Sequence, residues 1–407
     1  MTSRCAAPGS IVARRTVFVS GVLCAATACA DIQHVSAPAV QLVEELRLDP
    51  HVEDFSVVRN VHVGPRGQMV VPQPQDRQLW LYDSTGRRLA TIGRQGSGPG
   101  EFEAMNLAGW AAETLWVFDG RQYRVTWVAP DGTVLRTSPL PPTLVSGAAV
   151  DGETGTVLFF SPRIVRPDGA MFGEARLRGE SGLDAGWPER VLLFALPDVP
   201  ARVVARPPAY EDERWFMTVS GFGRNVPFAA QPLLAFSPNG SRFAYLTTQV
   251  DGSEGGNFTV TMFELPGDTA FVRSYPFRGF PVTTAERDSA LAAMEPRPGA
   301  PREGPADLPQ RFQAAARDRM PPVHPPVVAM ILGLDETIWL TLRDTADTRM
   351  ALVLDGDGEP IASLRLPSRS TIRQASATHL WLTQTDDVDL TTVLRVRVVP
   401  GGSEVGY

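Results

Sequence analysis

One short phrase recurs along this chain and governs what the chain can fold into. It is Leu or Ile, then Trp, then Leu or Val, inside a short strand-like run. The copies are Gln78-Leu-Trp80-Leu-Tyr-Asp83, Thr114-Leu-Trp116-Val-Phe-Asp119, Thr337-Ile-Trp339-Leu-Thr-Leu342 and His379-Leu-Trp381-Leu-Thr-Gln384. Two of them continue through a tight turn into another strand: Ser84-Thr-Gly86 precedes Arg88–Ile92, and Pro130-Asp-Gly132 precedes Val134–Thr137. Asp355-Gly-Asp-Gly358 before Ile361–Leu366 repeats the pattern late in the chain. Pro65-Arg-Gly67, Pro167-Asp-Gly169 and Pro238-Asn-Gly240 read as hairpin turns, because Asn, Asp and Gly accept the backbone angles such turns demand. The 36 Gly and 36 Pro fit a chain built of turns, and no helix-period segments alternate with the strands, which disfavours a parallel α/β sheet.

Four short strands per unit of roughly forty residues is the period of a propeller blade. Six units fit the sequence, at 52–93, 104–139, 143–207, 226–279, 326–367 and 369–399. The sixth lacks a fourth strand, and Leu42–Leu48, upstream of the first unit, is placed to supply it and close the ring. Closure removes the unpaired edges that invite aggregation. The expected fold is therefore all-β: a six-bladed β-propeller over residues 42–407, preceded by a signal peptide and a tether. The Trp residues are read as packing between blades.

Gly93-Arg-Gln-Gly96-Ser-Gly98-Pro-Gly100-Glu-Phe102 follows the first unit. Its glycines do not have G-x-G-x-x-G spacing, no helix follows, and no Lys-Ser/Thr is present, so it is not a phosphate loop. It resembles the blade-to-blade connector of NHL-type propellers, in which Gly-x-Gly-Pro-Gly-Glu-Phe links the outer strand of one blade to the inner strand of the next. The resemblance is good over residues 55–137, weaker over 326–399 and poor over 143–280. It implies an NHL-like six-bladed propeller, a family whose members include binding platforms, lyases, lactonase-like enzymes and many envelope proteins.

The N-terminus reads as an export signal. Arg4, Arg14 and Arg15 form a positive region, Thr16–Ala28 is apolar, and small residues lead to Cys29. Residues 1–28 are thus read as a signal peptide, too short and wrongly flanked for a transmembrane anchor. Ala26-Thr-Ala-Cys29 resembles a bacterial lipobox, with Ala26 where a larger aliphatic residue is usual. The same residues also fit cleavage by an ordinary signal peptidase, which would leave Cys29 a free thiol. Lipidation at Cys29 is the expectation, because a lone exposed thiol at a mature N-terminus would be open to oxidation. Residues 29–41 then form a lipid-anchored tether, and the protein resides in the periplasm or at the cell surface, attached to the outer membrane.

Composition removes several chemistries. The net charge is −7, and loss of the three leader arginines makes the mature chain more acidic still, so no electrostatic footprint for nucleic acid exists. All 38 basic residues are Arg, which excludes a lysine Schiff base. The three cysteines are Cys5, Cys24 and Cys29, so the body has no disulfide, no thiol nucleophile and no Cys-ligated metal. His34, His51, His62, His324 and His379 include no pair at metal-ligand spacing and are read as surface or internally satisfied residues. There is no Gly-x-Ser-x-Gly elbow. Asp83, Asp119, Asp131, Asp151, Asp251, Asp335 and Asp355 fall at turns and are explained by turn chemistry.

No catalytic and no cofactor-binding residue is therefore assigned. Calcium held by oxygens from several blades at the channel mouth is the one metal site a propeller could hide, with Glu101 and Asp119 the first residues to inspect. Residues 281–325 interrupt the strands. Thr283-Thr-Ala-Glu286 is a capping box before a helix over 287–294, and Arg311–Arg319 reads as a second helix. The segment is either a plain surface insertion or a lid over one mouth of the channel. The functional expectation is a monomeric, non-catalytic envelope module that binds a protein, peptide or glycan. The alternative is a calcium-dependent hydrolase or lyase, as lactonase-like relatives would imply.

Overall fold

A computed structural model describes residues 37–55, 58–179, 188–209, 211–295, 304–343 and 349–400. Its strands form six blades in sequence order, a six-bladed β-propeller as the repeat predicts. Blade 1 spans His62–Ile92, blade 2 Met105–Pro139, blade 4 Leu233–Arg278 and blade 5 Val327–Arg365, each an antiparallel four-stranded meander. Blade 3 runs Thr156–Ala205 and gains a fifth, two-residue strand, Val150–Asp151, parallel to Ala201–Ala205.

Blade 6 is completed from the other end of the chain. Strands Ser370–Ala375, His379–Thr385 and Thr391–Pro400 are followed in space by Val40–Leu48, paired antiparallel from Val40↔Pro400 to Leu48↔Val393. This is the closure expected for the Leu42–Leu48 segment, extended by two residues. A bulge between Glu44 and Leu46 turns Glu45 onto its neighbours. Its carboxylate accepts from Arg397 Nε at 2.9 Å and lies 3.2 Å from His379 Nε2. Ahead of the strand, the Pro38 carbonyl accepts the Ser363 amide of blade 5 at 2.8 Å.

The core is divided among the blade interfaces, one cluster to each. Trp80 and Trp381 pack between blades 6 and 1, Trp116 and Trp127 between 2 and 3, and Trp339 between 5 and 6. Trp339 is 1% exposed. Burying an aromatic side chain of roughly 150–250 Å² at about 25 cal/mol per Å² contributes on the order of 4–6 kcal/mol as an upper bound. Residues two apart in a strand share a face, so the residue two before each Trp can accept from its indole. Gln78 does so for Trp80 at 3.3 Å, and Thr337 for Trp339 at 2.9 Å. In the copy where that residue is His379, the Trp381 Nε1 is buried without a partner.

The turns behave as their sequences predict. Gly86, Gly132, Gly169, Gly240 and Gly358 each donate a backbone bond to the residue three before, at 3.1, 2.9, 3.0, 3.0 and 3.1 Å. All five have φ between 74° and 92°, which a side chain resists and glycine does not. Asp83 and Asp355 each accept two backbone amides of their own turns, the Asx geometry that makes aspartate common there.

The connector after blade 1 links the outer strand of that blade to the inner strand of blade 2, as the NHL-type resemblance implies. Phe102 is fully buried, and a Cβ on Gly93 would meet its ring at 2.6 Å. Arg124 of blade 2 donates to the carbonyls of Ser97, Gly98 and Glu101, at 2.6, 2.9 and 2.6 Å. The glycines serve close packing, not phosphate.

Two connections between blades are enlarged. The link from blade 3 to blade 4 carries a hairpin, Phe216–Val219 with Phe222–Asn225, that the sequence reading did not foresee. The link from blade 4 to blade 5 carries two helices. After the short helix α1 (Pro50–Glu53) near the N-terminus, these are α2 (Thr284–Ala292) and α3 (Leu308–Arg317). The Thr283/Glu286 capping box is present with both of its bonds. The second helix starts three residues before the predicted Arg311, because Pro309 is tolerated in a first turn that needs no intrahelical amide. Leu308, Phe312 and Ala316 then fall on one buried face. They pack with Met217, Val226, Met294 and Met320 into a satellite core. The insertion's ends are zipped together, His324 N to Phe280 O and Val282 N to Pro322 O, both at 2.8 Å. Among the described residues no helix is long and apolar enough to cross a membrane.

Candidate functional site

A propeller has two unlike ends. At one, each inner strand turns back into the second strand of its own blade. At the other, each outer strand crosses over to the next blade. Both ends carry a recess here.

The hairpin end holds a funnel of about 920 Å³. Its wall is made of the first turns of five successive blades: Val63–Pro65, Trp110–Ala112, Ile164–Pro167, Pro238–Arg242 and Leu334 with Glu336. Blades 1, 3 and 4 contribute a Pro-x-Gly turn (Pro65-Arg-Gly67, Pro167-Asp-Gly169, Pro238-Asn-Gly240), whereas blade 2 turns through Ala112-Glu113 and blade 5 through Leu334-Asp-Glu336. Trp110 donates its indole N–H to the His62 carbonyl at 3.3 Å, which fixes the ring at the rim. Arg242 is the electrostatic centre. It donates to Glu264 at 2.9 Å, lies 3.4 Å from Glu336, and caps the Gly356 carbonyl at 2.9 Å. Ser241 donates to Asn239 at 2.7 Å and to Glu336 at 3.1 Å. Both funnel carboxylates are thus committed to the same arginine. Among the lining residues no histidine or thiol faces them, and the one hydroxyl beside them is that of Ser241, on Glu336.

The crossover end holds a cleft of about 350 Å³ between blades 1 and 2. Its polar lining is Arg59, Asn60, His62, Arg77 and Glu103, over Pro72, Pro74, Met105 and Leu107. The Arg77 Nε is buried without a partner, while its Nη1 donates to the Gln75 carbonyl. Glu103 is engaged by Arg121 at 3.1 Å. Burial pushes the His62 imidazole down to about 4, so it is neutral near neutral pH. The sequence reading took His62 for an ordinary surface or satisfied histidine, and the signal that would have singled it out, its place on an inner strand, is visible only once the blade register is known.

The insertion of residues 281–325 also stands at the crossover end, opposite the funnel. His324, 7% exposed, pairs its Nε2 with Glu286 of α2 at 3.0 Å and packs edge-on against Phe228. Burial, and then the nearby Arg343 charge, lower its pKa from the usual imidazole value.

Bulges on two of the inner strands carry further arginines. The extra residue is Arg163 in blade 3 and Arg373 in blade 6, each three residues before the strand's last turn-closing amide. Blades 3 and 6 stand opposite each other in a ring of six. Arg163 shares the Glu174 carboxylate with buried Arg190, each at 2.6 Å. Burial raises the Glu174 carboxyl, but the two guanidinium groups outweigh it and hold the group below the usual carboxylate range. Arg373 donates to Thr383 at 2.8 Å, and burial lowers its pKa.

The residues singled out for calcium are elsewhere and already occupied. Asp119, 1% exposed, accepts the backbone amides of Glu103, Ala104, Arg121 and Gln122 at 2.7, 3.2, 3.0 and 3.1 Å. Glu101 accepts the Gly98 amide at 2.8 Å and Arg94 Nε at 2.7 Å. The amide first, and Arg94 next, hold its carboxyl below the usual range. Both residues lock the connector to blade 2. Among the described residues no group of three or more His, Cys, Asp or Glu side chains is placed to hold a metal ion. Cys29 and His34 lie outside the described residues.

No family model matches this chain, and no curated protein does. Solved structures do resemble it. A member of the DUF4221 family from Bacteroides vulgatus has a TM-score of 0.48 at 9% identity, over 90% of this chain and 100% of that one. A gluconolactonase from Xanthomonas campestris has a TM-score of 0.38 at 14% identity, over 90% and 100%. A virginiamycin B lyase from Staphylococcus aureus has a TM-score of 0.37 at 9% identity, over 88% and 100%. None of these likenesses transfers an activity to this chain.

Proposed function

We propose that this chain is an exported, lipid-anchored β-propeller of the cell envelope that binds a peptide or glycan in the funnel at its hairpin end, without catalysing a reaction on it. The observation that carries this reading is the state of the funnel's carboxylates. A general acid or base needs a group free to gain and lose a proton within reach of the ligand. Glu264 and Glu336 are instead tied to Arg242, and the hydroxyl nearest them, that of Ser241, is shared between Glu336 and Asn239. What remains is a concave wall with one aromatic side chain, several prolines, arginine donors and carboxylate acceptors, the mix that orients a polar ligand. Export and anchoring rest on residues 1–28 and Cys29, and the connector supports an NHL-like origin for the first two blades.

The test is a binding screen of the purified mature protein against peptide and glycan libraries, followed by mass analysis of each bound ligand after prolonged incubation. Arg166→Glu, a rim change in the funnel, is expected to weaken the recovered ligand at least about tenfold, with the ligand unchanged in mass. Turnover of the ligand, above all turnover abolished by a chelator, would sink the proposal in favour of the calcium-dependent enzyme.

A further inference from the structure

The cleft at the crossover end differs from the funnel in one respect: its cations are not spent. In the funnel, Arg242 is neutralised by Glu264 and Glu336. In the cleft, Arg59 and Arg77 have no carboxylate partner among the described residues, and the single acid in the wall, Glu103, is held by Arg121. Elsewhere arginines such as Arg88, Arg163 and Arg176 are matched to acids.

Three features prepare the cleft for a ligand. Arg77 is half-buried, its Nη1 is anchored on the Gln75 carbonyl, and its Nη2 has no partner among the described residues. Arg77 also has φ 53°, a left-handed conformation that side chains resist, and Gly93 makes it possible: a Cβ there would meet the Arg77 carbonyl at 2.7 Å. The guanidinium is therefore aimed by the backbone and not by a salt bridge. His62, on the first strand of blade 1, lines the same recess, and its ring has no hydrogen-bond partner among the described residues. Being neutral, it offers one N–H donor and does not compete for the negative charge.

We propose that this cleft is an oxyanion-binding site, with Arg59 and Arg77 as charged donors and His62 as a neutral one. A guanidinium fork matches carboxylate and phosphate oxygens bidentately, and a recess of about 350 Å³ admits a ligand of the size of a small dicarboxylate or a sugar phosphate and no polymer. Pro72, Pro74, Met105 and Leu107 supply the apolar floor that excludes water and strengthens the charged bonds. The site is independent of the funnel and stands or falls apart from the function proposed for it.

Calorimetric titration of the mature protein at low ionic strength, with inorganic phosphate in one arm and succinate in the other, tests the proposal. At least one probe should bind saturably at one site, the stronger arm identifying the ligand as phosphoryl or carboxylate. Arg77→Gln and Arg59→Gln should each weaken that binding about tenfold or more, and Arg166→Glu in the funnel should leave it unchanged. Arg59 is exposed, so its replacement cannot be confused with a folding defect. Absence of saturable binding by either probe up to about 10 mM overturns the proposal, as does binding that survives the Arg59→Gln/Arg77→Gln double variant.

Discussion

Replacing Asp119 separates two readings of the same residue, a calcium ligand and an internal cap. The structure makes it a cap for four backbone amides, of Glu103, Ala104, Arg121 and Gln122, on a carboxylate that is 1% exposed. Hydrogen bonds to a charged group contribute about 1.5–3 kcal/mol each, and neutral ones about half as much. In Asp119→Asn one oxygen remains for the three amides on the Oδ1 side, and those bonds fall to neutral strength. The new NH₂ group faces the Glu103 amide, donor against donor, across what is now a 2.7 Å bond. Simple addition reaches about 5 kcal/mol, and relaxation of the loop lowers the expected loss to about 3 kcal/mol. Urea unfolding followed by tryptophan fluorescence, with calcium and with a chelator, reads it out. The destabilisation should be the same in both conditions. A loss under about 1 kcal/mol, or one that appears only in the presence of calcium, would show the cap argument to be wrong.

Three further outcomes follow from the structure. Glu174→Gln leaves Arg163 and buried Arg190 without their shared carboxylate and should cost about 3–5 kcal/mol. Because the folded Glu174 carboxyl is held low, its contribution is present above the unfolded value of about 4.3 and is lost as pH falls through the folded value, so acid should erase the difference between wild type and variant in melting experiments. Removal of residues up to Leu48 strips the outer strand from blade 6 and exposes the edge of Thr391–Pro400; light scattering should show self-association, and a stable monomer would refute the closure argument. Cys29→Ser should move the protein from the membrane to the soluble fraction, and unchanged partition would refute the lipid anchor.

The repeat was legible because its signals are local. A Trp phrase with a Gly turn on either side fixes a strand pair without reference to anything distant, and the missing fourth strand of the last unit pointed to residues 42–48. The hairpin at Phe216–Asn225 was not legible. Of its eight residues only Met217 is buried, and that residue packs against α3, far along the chain, so no alternation marks the segment. The sites failed for a related reason. Val63, Trp110, Ile164, Pro238 and Glu336 meet in one funnel only after the ring closes, and nothing in their spacing announces it. Turn chemistry accounts for Asp83, Asp131 and Asp355, each of which accepts a backbone amide of its own turn, and in part for Asp119, two of whose four amides depend on the connector folding back over it. Asp335 instead accepts the Ala377 amide of blade 6, and Asp151 lies in a strand.

The two recesses show how one repeat yields unlike chemistry at its two ends. At the hairpin end every blade contributes a tight turn at the same place, so neighbouring blades can satisfy each other's charges, as Arg242 of blade 4 does with Glu336 of blade 5. At the crossover end the connections differ in length from blade to blade, from residues 366–369 after blade 5 to the helical insertion after blade 4. There the repeat no longer supplies a matching partner. Arg59 and Arg77 sit where two dissimilar segments meet, and a charge left unmatched by its own fold is available to a ligand. Substitutions of Arg59 and Arg77 should therefore change what the cleft binds before they change whether the chain folds, and leave the funnel's ligand untouched.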